Sequence, residues 1–520
     1  MADIVLINPR FEESYWGLEH ALPLFGKRAN LPIASMPLLA ALTPAEHHIT
    51  LLDENVAPID FDRVARADIV GLTGMIVQRF RMREILEELN ARGAFVVVGG
   101  PWVTVKEDYF GDLADVIFVG EAEETWPRFL DEWQQGRHQP RYEQLEKTDM
   151  TRVPCPRYDQ IDARHYMFGS LQISRGCPFQ CEFCDIIVTF GRRPRLKTSA
   201  QVIAELEAMR AIGMEMVFIV DDNLIGNKKA IAPVLRDVGQ WQRDNGYPFM
   251  FFTEASLDLA DDPPLMQLMA DANIQAVFVG IESPNAESLR ETLKFQNLRA
   301  GGSMIEKIHA IQTAGMEVWT GMIVDFDHDD ETIFDAQVEF LRDARVVHSS
   351  LGMLTAIPKT PLYDRLAAED RLDLDDPPAC GTNVIPLRLS REALCDGYIR
   401  VMQQLFDVTA FFDRADSLYH DTSFQFNRAQ RAYWRRHPLV WLKAQTRYLV
   451  QSAVLYRRLM RYVAEPELRR EYRRRLGKLW RLRREPAALF IYLIKCAAHY
   501  HYQRMAGRMS REDQRVVNTF

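Results

Sequence analysis

Three cysteines close together in the sequence offer its clearest set of metal ligands. The segment 174–184 reads SRGCPFQCEFC and spaces Cys177, Cys181 and Cys184 as Cys-x3-Cys-x2-Cys. Three thiolates can hold three irons of a four-iron cluster and leave the fourth iron open to a substrate or cofactor. A zinc site or buried thiols are the alternatives, but zinc normally takes four ligands and no partnered Cys-x2-Cys lies nearby. The spacing therefore predicts an iron–sulfur cluster with one open iron.

Alternating strand and helix patterns surround this cysteine segment and must position it. Helical patterns separate a series of strand-like runs, and six such βα units predict a partial (β/α)6 barrel. Because active sites in such barrels lie at the carboxyl ends of the strands, the chemistry is expected there. The predicted strands are 170–174, 215–220, 249–254, 276–282, 317–324 and 350–355.

The first part of the chain also alternates apolar strands with helices, which indicates a parallel, doubly wound sheet. Strands are predicted at 3–7, 48–52, 69–73, 95–99 and 116–119. Ligands of such sheets bind outside the carboxyl ends of the strands, although tight turns alone would also explain small residues there. The candidate residues at these strand ends are Thr73, Gly74, Gly99, Gly100, Gly120 and Glu121.

The cysteine spacing, with Phe183 directly before the last cysteine, resembles the radical S-adenosylmethionine (SAM) superfamily. The resemblance implies that the open iron binds SAM, which is cleaved reductively to a 5′-deoxyadenosyl radical. The resemblance continues at four predicted strand ends, in the segments IVDDN, TE, GIES and TGMIV. Directly after the last of them, Asp325 stands where relatives often have glycine. The SAM-binding residues that it implies are Phe183, Asp222, Glu254, Glu282, Ser283 and Ile323.

A doubly wound sheet fused to such a barrel resembles the cobalamin-binding radical SAM enzymes, as do the segments LINPRFE, LLDENV and VVVGGPWVT. The resemblance implies that cobalamin binds at the strand ends of the N-terminal sheet. The Asp-x-His-x-x-Gly motif of other cobalamin proteins is absent, since His20 lies in WGLEHAL and His47 and His48 precede the second strand. We therefore expect cobalamin without histidine ligation. A sheet kept only for structure is the alternative.

The last part of the chain is basic and rich in aromatic residues, and 390–413 and 429–508 are predicted to be helical. Residues 428–508 carry 21 Lys and Arg against 4 Asp and Glu, a net charge of +17, and 511–520 are balanced. Because the whole chain has a net charge of −9, residues 1–427 carry a net charge of −26. This composition suits contact with an anionic membrane surface. A basic cap on the acidic remainder is the alternative, and nucleic acid is not an expected partner because no recognition motif is present.

These patterns predict an α/β protein with four segments. A cobalamin-binding-like sheet domain covers 1–140, a linker 141–168, the radical SAM barrel 169–370 and a basic helical domain 371–520. The sequence has no apolar run of membrane-spanning length and no leader, which predicts a cytoplasmic protein with peripheral contact at the inner membrane face as an option. The odd number of cysteines argues against disulfides. The unassigned cysteines are Cys155, Cys380, Cys395 and Cys496.

The whole chain resembles a subgroup that includes hopanoid C-2 methylases, through CPFQCEFCDI, IVDDN and AIPKTPLYDRL. Bacteriochlorophyll side-chain methylases are the nearest competing family. The resemblance implies a C-methyltransferase that moves a methyl group from SAM, by way of cobalamin, to an unactivated carbon of a hopanoid, another isoprenoid lipid or a tetrapyrrole. It also implies a ferredoxin- or flavodoxin-type electron donor. A non-methylating cyclisation or ring rearrangement stays open, as does a non-catalytic iron–sulfur redox or sensor protein.

Overall fold

The computed structural model describes residues 1–299, 301–422, 424–509 and 518, and it begins with a six-stranded parallel sheet. The strands are β1 Asp3–Asn8, β2 His48–Asp53, β3 Ile69–Thr73, β4 Val96–Gly99, β5 Val116–Val119 and β6 Arg141–Glu143. The helices are α1 Leu22–Phe25, α2 Ser35–Leu42, α3 Phe61–Val64, α4 Arg79–Asn90, α5 Pro101–Val105 and α6 Thr125–Gln134. The strand order is β2-β1-β3-β4-β5-β6. The sheet therefore changes direction between β1 and β3, where doubly wound sheets bind ligands.

Strand β6 lies in the segment that the sequence analysis assigns to a linker, so the sheet extends beyond residue 140. The strand pairs with β5, and the buried ring of Tyr142 stacks on Phe118 at 5.4 Å. Only one of its three residues is buried, between the exposed Arg141 and Glu143. So short a strand leaves no periodic pattern in the sequence, which is why it was missed.

The central domain is a second six-stranded parallel sheet, in the order β14-β13-β12-β11-β10-β7, as a partial (β/α)6 barrel requires. Its parallel strands are β7 Gly169–Leu171, β10 Met216–Ile219, β11 Met250–Glu254, β12 Ile274–Glu282, β13 Glu317–Val324 and β14 Ser349–Met353. A separate antiparallel pair flanks the cysteine loop, formed by β8 Ser174–Arg175 and β9 Arg195–Leu196. The helices are α7 Ile186–Thr189, α8 Ser199–Ala211, α9 Lys228–Asp244, α10 Pro263–Asp271, α11 Ala286–Glu291, α12 Met304–Thr313, α13 Thr332–Asp343 and α14 Pro361–Ala368.

The C-terminal region is helical, as predicted, and three of its helices begin with a proline, a residue whose fixed φ suits a first helical position. Its helices are α15 Arg391–Leu405, α16 Val408–Asp421, α17 Arg428–Arg436, α18 Pro438–Tyr462, α19 Pro466–Arg483 and α20 Pro486–Met509. None of the helices in the described part of the chain has both the length and the apolar character needed to cross a membrane. Residues 510–517, 519 and 520 of the predicted fourth segment lie outside the described residues. Short 3-10 turns lie at Ile76–Gln78, Gly111–Leu113, Met150–Arg152, Tyr158–Gln160, Leu257–Asp261, Phe295–Asn297 and Ala379–Gly381.

Helix α20 joins this region to the barrel through a buried ion pair. Lys495 Nζ lies 2.8 Å from the Glu317 carboxylate at the start of β13, and the Tyr419 hydroxyl donates to the same carboxylate at 2.8 Å. Isolated buried charges are costly, so the pairing of Lys495 with Glu317 is needed for either residue to be buried. The C-terminal helices therefore share one hydrophobic core with the barrel. The two parallel sheets with their helices confirm the predicted α/β fold class.

Cys380 and Cys395 form a disulfide, which corrects the expectation that the chain lacks one. Their Cα atoms lie 6.1 Å apart. The loop that carries Cys380 folds back onto α15, where Arg391 pairs with Asp373 at 2.8 Å. The fold thus brings together two cysteines whose proximity the cysteine count could not reveal.

Candidate functional site

The three cysteines lie in a loop between β8 and α7 that a glycine and two aspartates shape. Gly176 has a φ of +94°, and a Cβ there would lie 2.8 Å from the carbonyl oxygen of Gly191, so glycine is required. The Asp221 carboxylate accepts hydrogen bonds from the amide and hydroxyl of Ser174. Asp222 accepts one from the Gly176 amide at 2.8 Å. The end of β10 therefore holds the start of the cysteine loop in place.

Cys177, Cys181 and Cys184 are all free thiols. Among the described residues, their three sulfur atoms do not all lie within 4.8 Å of one another. A tetrahedral zinc site would bring its sulfur ligands to about 3.8 Å, given Zn–S bonds of about 2.3 Å. Three free thiols in one loop can each bind a different iron of a cluster.

Two amide side chains donate hydrogen bonds to the cysteine sulfurs, a role that the sequence analysis assigned to neither, although Asn223 ends the segment IVDDN. Gln296 Nε2 lies 3.4 Å from Cys181 Sγ, and Asn223 Nδ2 lies 3.8 Å from Cys177 Sγ. Gln296 is buried in a 3-10 turn, 115 positions from its partner in the sequence. Hydrogen bonds to the sulfur atoms help to set the reduction potential of an iron–sulfur cluster. Both amides are therefore candidates to tune that potential.

Replacing Gln296 with leucine is expected to make the reduction potential of the cluster more negative, by an amount on the order of tens of mV. The variant removes an N–H donor that stabilises the added electron, while a leucine of similar size keeps the position filled. A redox titration followed by electron paramagnetic resonance measures the shift. Gln180→Leu, which alters an exposed amide of the same loop, serves as the control. An unchanged potential in Gln296→Leu would contradict the role of this hydrogen bond.

Three predicted SAM-binding carboxylates lie close together beyond the carboxyl ends of β10, β11 and β12. Burial and the charge of Asp221 raise the pKa of Asp222 to about 7. Burial and the neighbouring carboxylates of Asp222, Asp221 and Glu282 raise the pKa of Glu254 to about 8. Atom Oε2 of Glu282 is buried and has no hydrogen-bond partner in the described part of the chain. This arrangement suits a ligand that brings positive charge and N–H donors.

Lys294 lies between this carboxylate group and the cysteines, and sequence analysis did not identify it. Its Nζ lies 2.5 Å from Glu282 Oε1. Although burial alone would lower the pKa of Lys294, the charges of Glu282 and Cys181 raise it. A permanently charged lysine at this place balances part of the negative charge that three thiolates and their cluster bring.

The other predicted SAM-binding residues lie around the same strand ends. Phe183 packs against the apolar cluster that contains Ile323 and Phe326, and its ring centroid lies 6.2 Å from that of Phe326. The Ser283 hydroxyl is buried and accepts a hydrogen bond from the Asn285 amide at 3.1 Å. Asp325 has a φ of +83°, and burial, followed by the charge of Asp329, raises its pKa to about 8. The structure therefore brings together all six predicted positions at one end of the barrel.

The turns after β3 and β4 pack closely on each other at the carboxyl edge of the N-terminal sheet. Gly100 has a φ of +99°, and a Cβ there would lie 2.5 Å from Thr73 Oγ1. Atom Nε1 of the buried Trp102, directly after this turn, has no hydrogen-bond partner among the described residues. Met75 is 43% exposed at the same edge. An unpartnered indole N–H and an exposed apolar side chain at this edge suit a cofactor with both polar and apolar parts.

Glu121 ties this edge of the sheet to the cysteine loop. Its carboxylate lies 2.7 Å from Arg175 Nη1 and 3.1 Å from Arg195 Nη1, and Glu123 also pairs with Arg175 at 2.7 Å. Arg175 is two positions before Cys177, so the ion pairs connect the two predicted cofactor sites directly. The Glu121 side chain is fully engaged in this junction, and a role for Glu121 in binding cobalamin stays a prediction.

The donor sets at the two edges fit the cofactors that the sequence predicts. The barrel offers three free cysteines with amide donors beside them, and the sheet offers small residues around an unpartnered indole. His47 and His48 lie at the amino end of β2, the opposite edge of the sheet, and His20 Nε2 is paired with Glu13 at 2.8 Å. His47 and His48 are therefore not placed to ligate a cobalt at the carboxyl edge, and cobalamin without histidine ligation stays a prediction.

Known protein families match three consecutive parts of the chain. The B12 binding domain matches residues 31–130, and the Radical SAM superfamily matches residues 171–337. A domain of unknown function (DUF4070) matches residues 360–515. The first two matches fall on the two parallel sheets, and the third falls on α14 and the C-terminal helices.

Several curated methyltransferases are similar over most of the chain. An uncharacterized methyltransferase of Synechocystis sp. is 39% identical over 79% of this chain and 77% of its own length. The hopanoid C-2 methylase of Rhodopseudomonas palustris is 34% identical over 72% of this chain and 71% of its own length. The bacteriochlorophyllide d C-8(2)-methyltransferase of Chlorobaculum tepidum is 25% identical over 66% of this chain and 77% of its own length.

The fold is also that of a solved enzyme with both cofactors. The cobalamin-dependent SAM radical enzyme OxsB, in a structure with aqua-cobalamin and SAM bound, superposes with a TM-score of 0.61 at 14% identity over 99% of this chain and 82% of OxsB. The predicted family, cofactors and reaction class are confirmed by these matches. The chain belongs to the cobalamin-dependent radical SAM methyltransferases, enzymes that combine a [4Fe-4S] cluster, SAM and cobalamin.

Proposed function

We propose that the enzyme methylates an unactivated carbon of a bulky apolar substrate, of which a hopanoid or a related isoprenoid lipid is the first candidate. The observation that carries this proposal is a set of aromatic rings inside the barrel. Trp16 contacts Phe278 with ring centroids 5.0 Å apart, and Phe252 stacks on Trp319 at 5.3 Å. Trp16 and Trp319 keep part of their surface exposed. Rings in such a place favour an apolar substrate over a charged one.

The register of the strands supports a substrate position beside the carboxylate group. Glu254 pairs with Phe278 across β11 and β12, and Phe278 pairs with Trp319 across β12 and β13. The aromatic rings therefore lie at and below the level of the predicted SAM-binding carboxylates. A substrate against these rings would be within reach of SAM and shielded from water, as radical chemistry requires.

The roles of the individual residues follow from their chemistry. Cys177, Cys181 and Cys184 hold the cluster, while Asp222, Glu254 and Glu282 bind and orient the positively charged groups of SAM. Phe183 and Ile323 provide apolar contact, and Ser283 a hydroxyl, for the rest of that ligand. When bound, these cofactors supply a carbon-centred radical and a transferable methyl group.

The carboxyl edge of the N-terminal sheet is proposed as the cobalamin site. Gly74, Gly99, Gly100 and Gly120 would let the corrin and its side chains approach the backbone, and Thr73 would offer a hydroxyl. The cobalt would have no histidine ligand and would be open, water-bound or covered by a nonpolar side chain. Met75 is the exposed apolar residue at this edge. The domain boundaries 1–140, 141–168, 169–370 and 371–520 remain part of this proposal, with β6 added to the first domain.

Methyl-labelled SAM tests the substrate proposal. The reconstituted enzyme, a low-potential electron donor of the ferredoxin or flavodoxin type and a hopanoid are expected to give label in the hopanoid product. A parallel reaction receives a bacteriochlorophyllide, the substrate class in the name of a more distant relative. Label in the tetrapyrrole alone would contradict a lipid substrate. Cleavage of SAM without label in either product would contradict both substrate classes.

The membrane contact predicted from the basic tail has a defined candidate surface. Trp434 of α17, Ala444 near the start of α18 and Ala487 at the start of α20 form one buried cluster. Because α20 follows α19 directly, the end of α19 and the start of α18 lie at the same end of the helical region. We name this end the basic–apolar face and define it by its exposed side chains. They are Leu439, Trp441, Leu442, Trp480 and Leu482 with Arg435, Arg436, Lys443, Arg481 and Arg484. Basic residues around exposed leucines and tryptophans suit an anionic membrane surface.

Replacing Leu439 and Leu442 with aspartate is expected to weaken binding to anionic vesicles by about tenfold or more, since two inserted leucines are lost and charge repulsion is added. Leu439 is 81% exposed, so the change should leave the folded protein intact. Sedimentation with phosphatidylglycerol-containing vesicles measures the bound fraction. Leu145→Asp, at an equally exposed leucine of the sheet domain, is the matched control. Equal sedimentation of both variants would exclude this face as the contact.

A further inference from the structure

A group of potential metal ligands lies outside the cluster site, where the loop after β1 meets the last helix. Glu13, His20 and His501 each offer one ligand atom, and these atoms all lie within 4.8 Å of one another. Glu13 and His20 belong to the loop, and His501 lies on α20, 481 positions after His20. The three residues therefore lie where the loop after β1 contacts α20.

The hydrogen bonds of His501 prepare one of its ring nitrogens for a metal. Nε2 lies 2.9 Å from the carbonyl oxygen of Ser14, so Nε2 carries the proton and donates it. Nδ1 then carries the electron pair, which accepts a long hydrogen bond of 3.4 Å from the His20 amide, and a metal ion bound at Nδ1 would replace this contact. An imidazole whose other nitrogen donates to a backbone carbonyl is the usual form of a metal-ligating histidine.

His20 and the nearby carboxylates complete the donor set. His20 Nε2 lies 2.8 Å from Glu13 Oε1, a contact in which a metal can replace the shared proton. Glu19 Oε2 lies 3.8 Å from His501 Nδ1 and is buried without a hydrogen-bond partner in the described part of the chain. The unpartnered oxygen gives a second, independent sign that a ligand is missing from this place.

We propose that Glu13, His20 and His501 bind a zinc ion, with Glu19 or a water as the fourth ligand. Two imidazoles and one or two carboxylates form a donor set that zinc accepts in tetrahedral geometry. Zinc bound here would have ligand atoms about 2.0–2.2 Å away and therefore about 3.4 Å from one another, so the 2.8 Å contact between Glu13 and His20 would widen as the ion enters. Arg508, which contacts the second oxygen of Glu13, would orient that carboxylate from outside.

The site would fix a loop that also reaches into the barrel. The same loop carries Trp16, whose ring contacts Phe278 at 5.0 Å. It also carries Tyr15, which stacks on Tyr502 of α20 at 4.7 Å. A zinc ion between the loop and α20 would therefore hold one wall of the proposed substrate pocket, a structural role that does not depend on the identity of the substrate.

Metal analysis of the full-length enzyme with its four-iron cluster in place tests the proposal. After equilibrium dialysis against zinc, the wild-type chain is expected to hold one zinc in addition to its iron. Glu13→Gln and His20→Gln are expected to lose it, and both residues are only half-buried, so these variants should fold. His48→Gln, at an exposed histidine that pairs with Asp3 at 2.9 Å, is the matched control and should retain the zinc.

X-ray absorption at the zinc edge separates this site from zinc bound to cysteines. The proposed site gives only nitrogen and oxygen ligands at about 2.0–2.2 Å, whereas misplaced zinc at the cysteines gives sulfur at about 2.3 Å. A wild-type chain without bound zinc, a sulfur shell, or zinc retained in full by His20→Gln would each overturn the proposal. Zinc lost in the two variants but kept by His48→Gln, with a nitrogen–oxygen shell, would support it.

Discussion

Replacing Cys184 with alanine is expected to abolish the reductive cleavage of SAM. The open iron that binds SAM exists only if three thiolates hold the other three irons. Burial raises the pKa of Cys184 well above its ordinary value, so its thiolate is stable there only with a positive partner such as iron. Loss of this ligand should lower the iron content below four per chain and reduce 5′-deoxyadenosine formation to the level of a reaction without enzyme. Iron analysis and chromatography of the products measure both effects.

Cys155 provides the matched control for this change. It is an exposed free cysteine outside the loop, so Cys155→Ala should keep both the iron content and the cleavage rate. Cys177→Ala and Cys181→Ala should behave as Cys184→Ala does. A Cys184→Ala enzyme that still forms 5′-deoxyadenosine at the wild-type rate would refute the assignment of the cluster ligands.

The cluster loop could be predicted from sequence because its ligands are local. Cys177, Cys181 and Cys184 lie on one short segment, so their spacing is read directly from the sequence. The carboxylates were also predictable, since the ends of parallel strands meet at one edge of a sheet whatever the details of side-chain packing. Resemblance to a known family then gave these positions their roles.

The contacts that tune and connect the site could not be predicted in the same way. Gln296 and Lys294 reach the cysteines from a 3-10 turn more than a hundred positions later. The ion pair of Arg175 with Glu121 joins two domains, and although both residues lie in segments that the sequence analysis identified, neither segment indicates that they pair. Such contacts depend on how separate elements pack together, which periodicity and spacing within one segment do not encode. The same holds for the Cys380–Cys395 pair.

The junction at Arg175 suggests why the two cofactor domains keep a fixed distance. A methyl group and a substrate radical must meet within a few ångströms, so small shifts between the domains would cost much of the rate. Arg175 is buried between Glu121 and Glu123 of the sheet domain, and its own backbone begins the cysteine loop. Breaking a buried pair of this kind leaves an uncompensated charge. The junction therefore places the cluster relative to the proposed cobalamin edge.

Replacing Glu254 with glutamine is expected to weaken SAM binding and, at the same time, to stabilise the SAM-free protein above neutral pH. The pKa of Glu254 is raised from 4.5 to about 8, mainly by burial and then by the charges of Asp222, Asp221 and Glu282. A carboxyl whose pKa is higher in the folded state makes the protein less stable as the pH rises from 4.5 towards about 8. Glutamine has no such charge, so this loss should disappear and Tm at about pH 8 should rise by a few degrees.

The same pKa fixes the direction of the pH effect on SAM binding. A positively charged ligand binds the ionised carboxylates, so the affinity of the wild-type enzyme should increase with pH between about 6 and about 8, by up to about tenfold per pH unit for each coupled proton. Glu254→Gln should flatten this dependence and lower the affinity at about pH 8, where the wild-type carboxylate is largely ionised. Equilibrium dialysis with SAM over this pH range and a thermal melt at each pH measure both quantities. Glu287→Gln, an exposed residue of α11, is the control. If Glu254→Gln lowered Tm and left the pH dependence of binding intact, Glu254 would be a structural residue and not part of the SAM site.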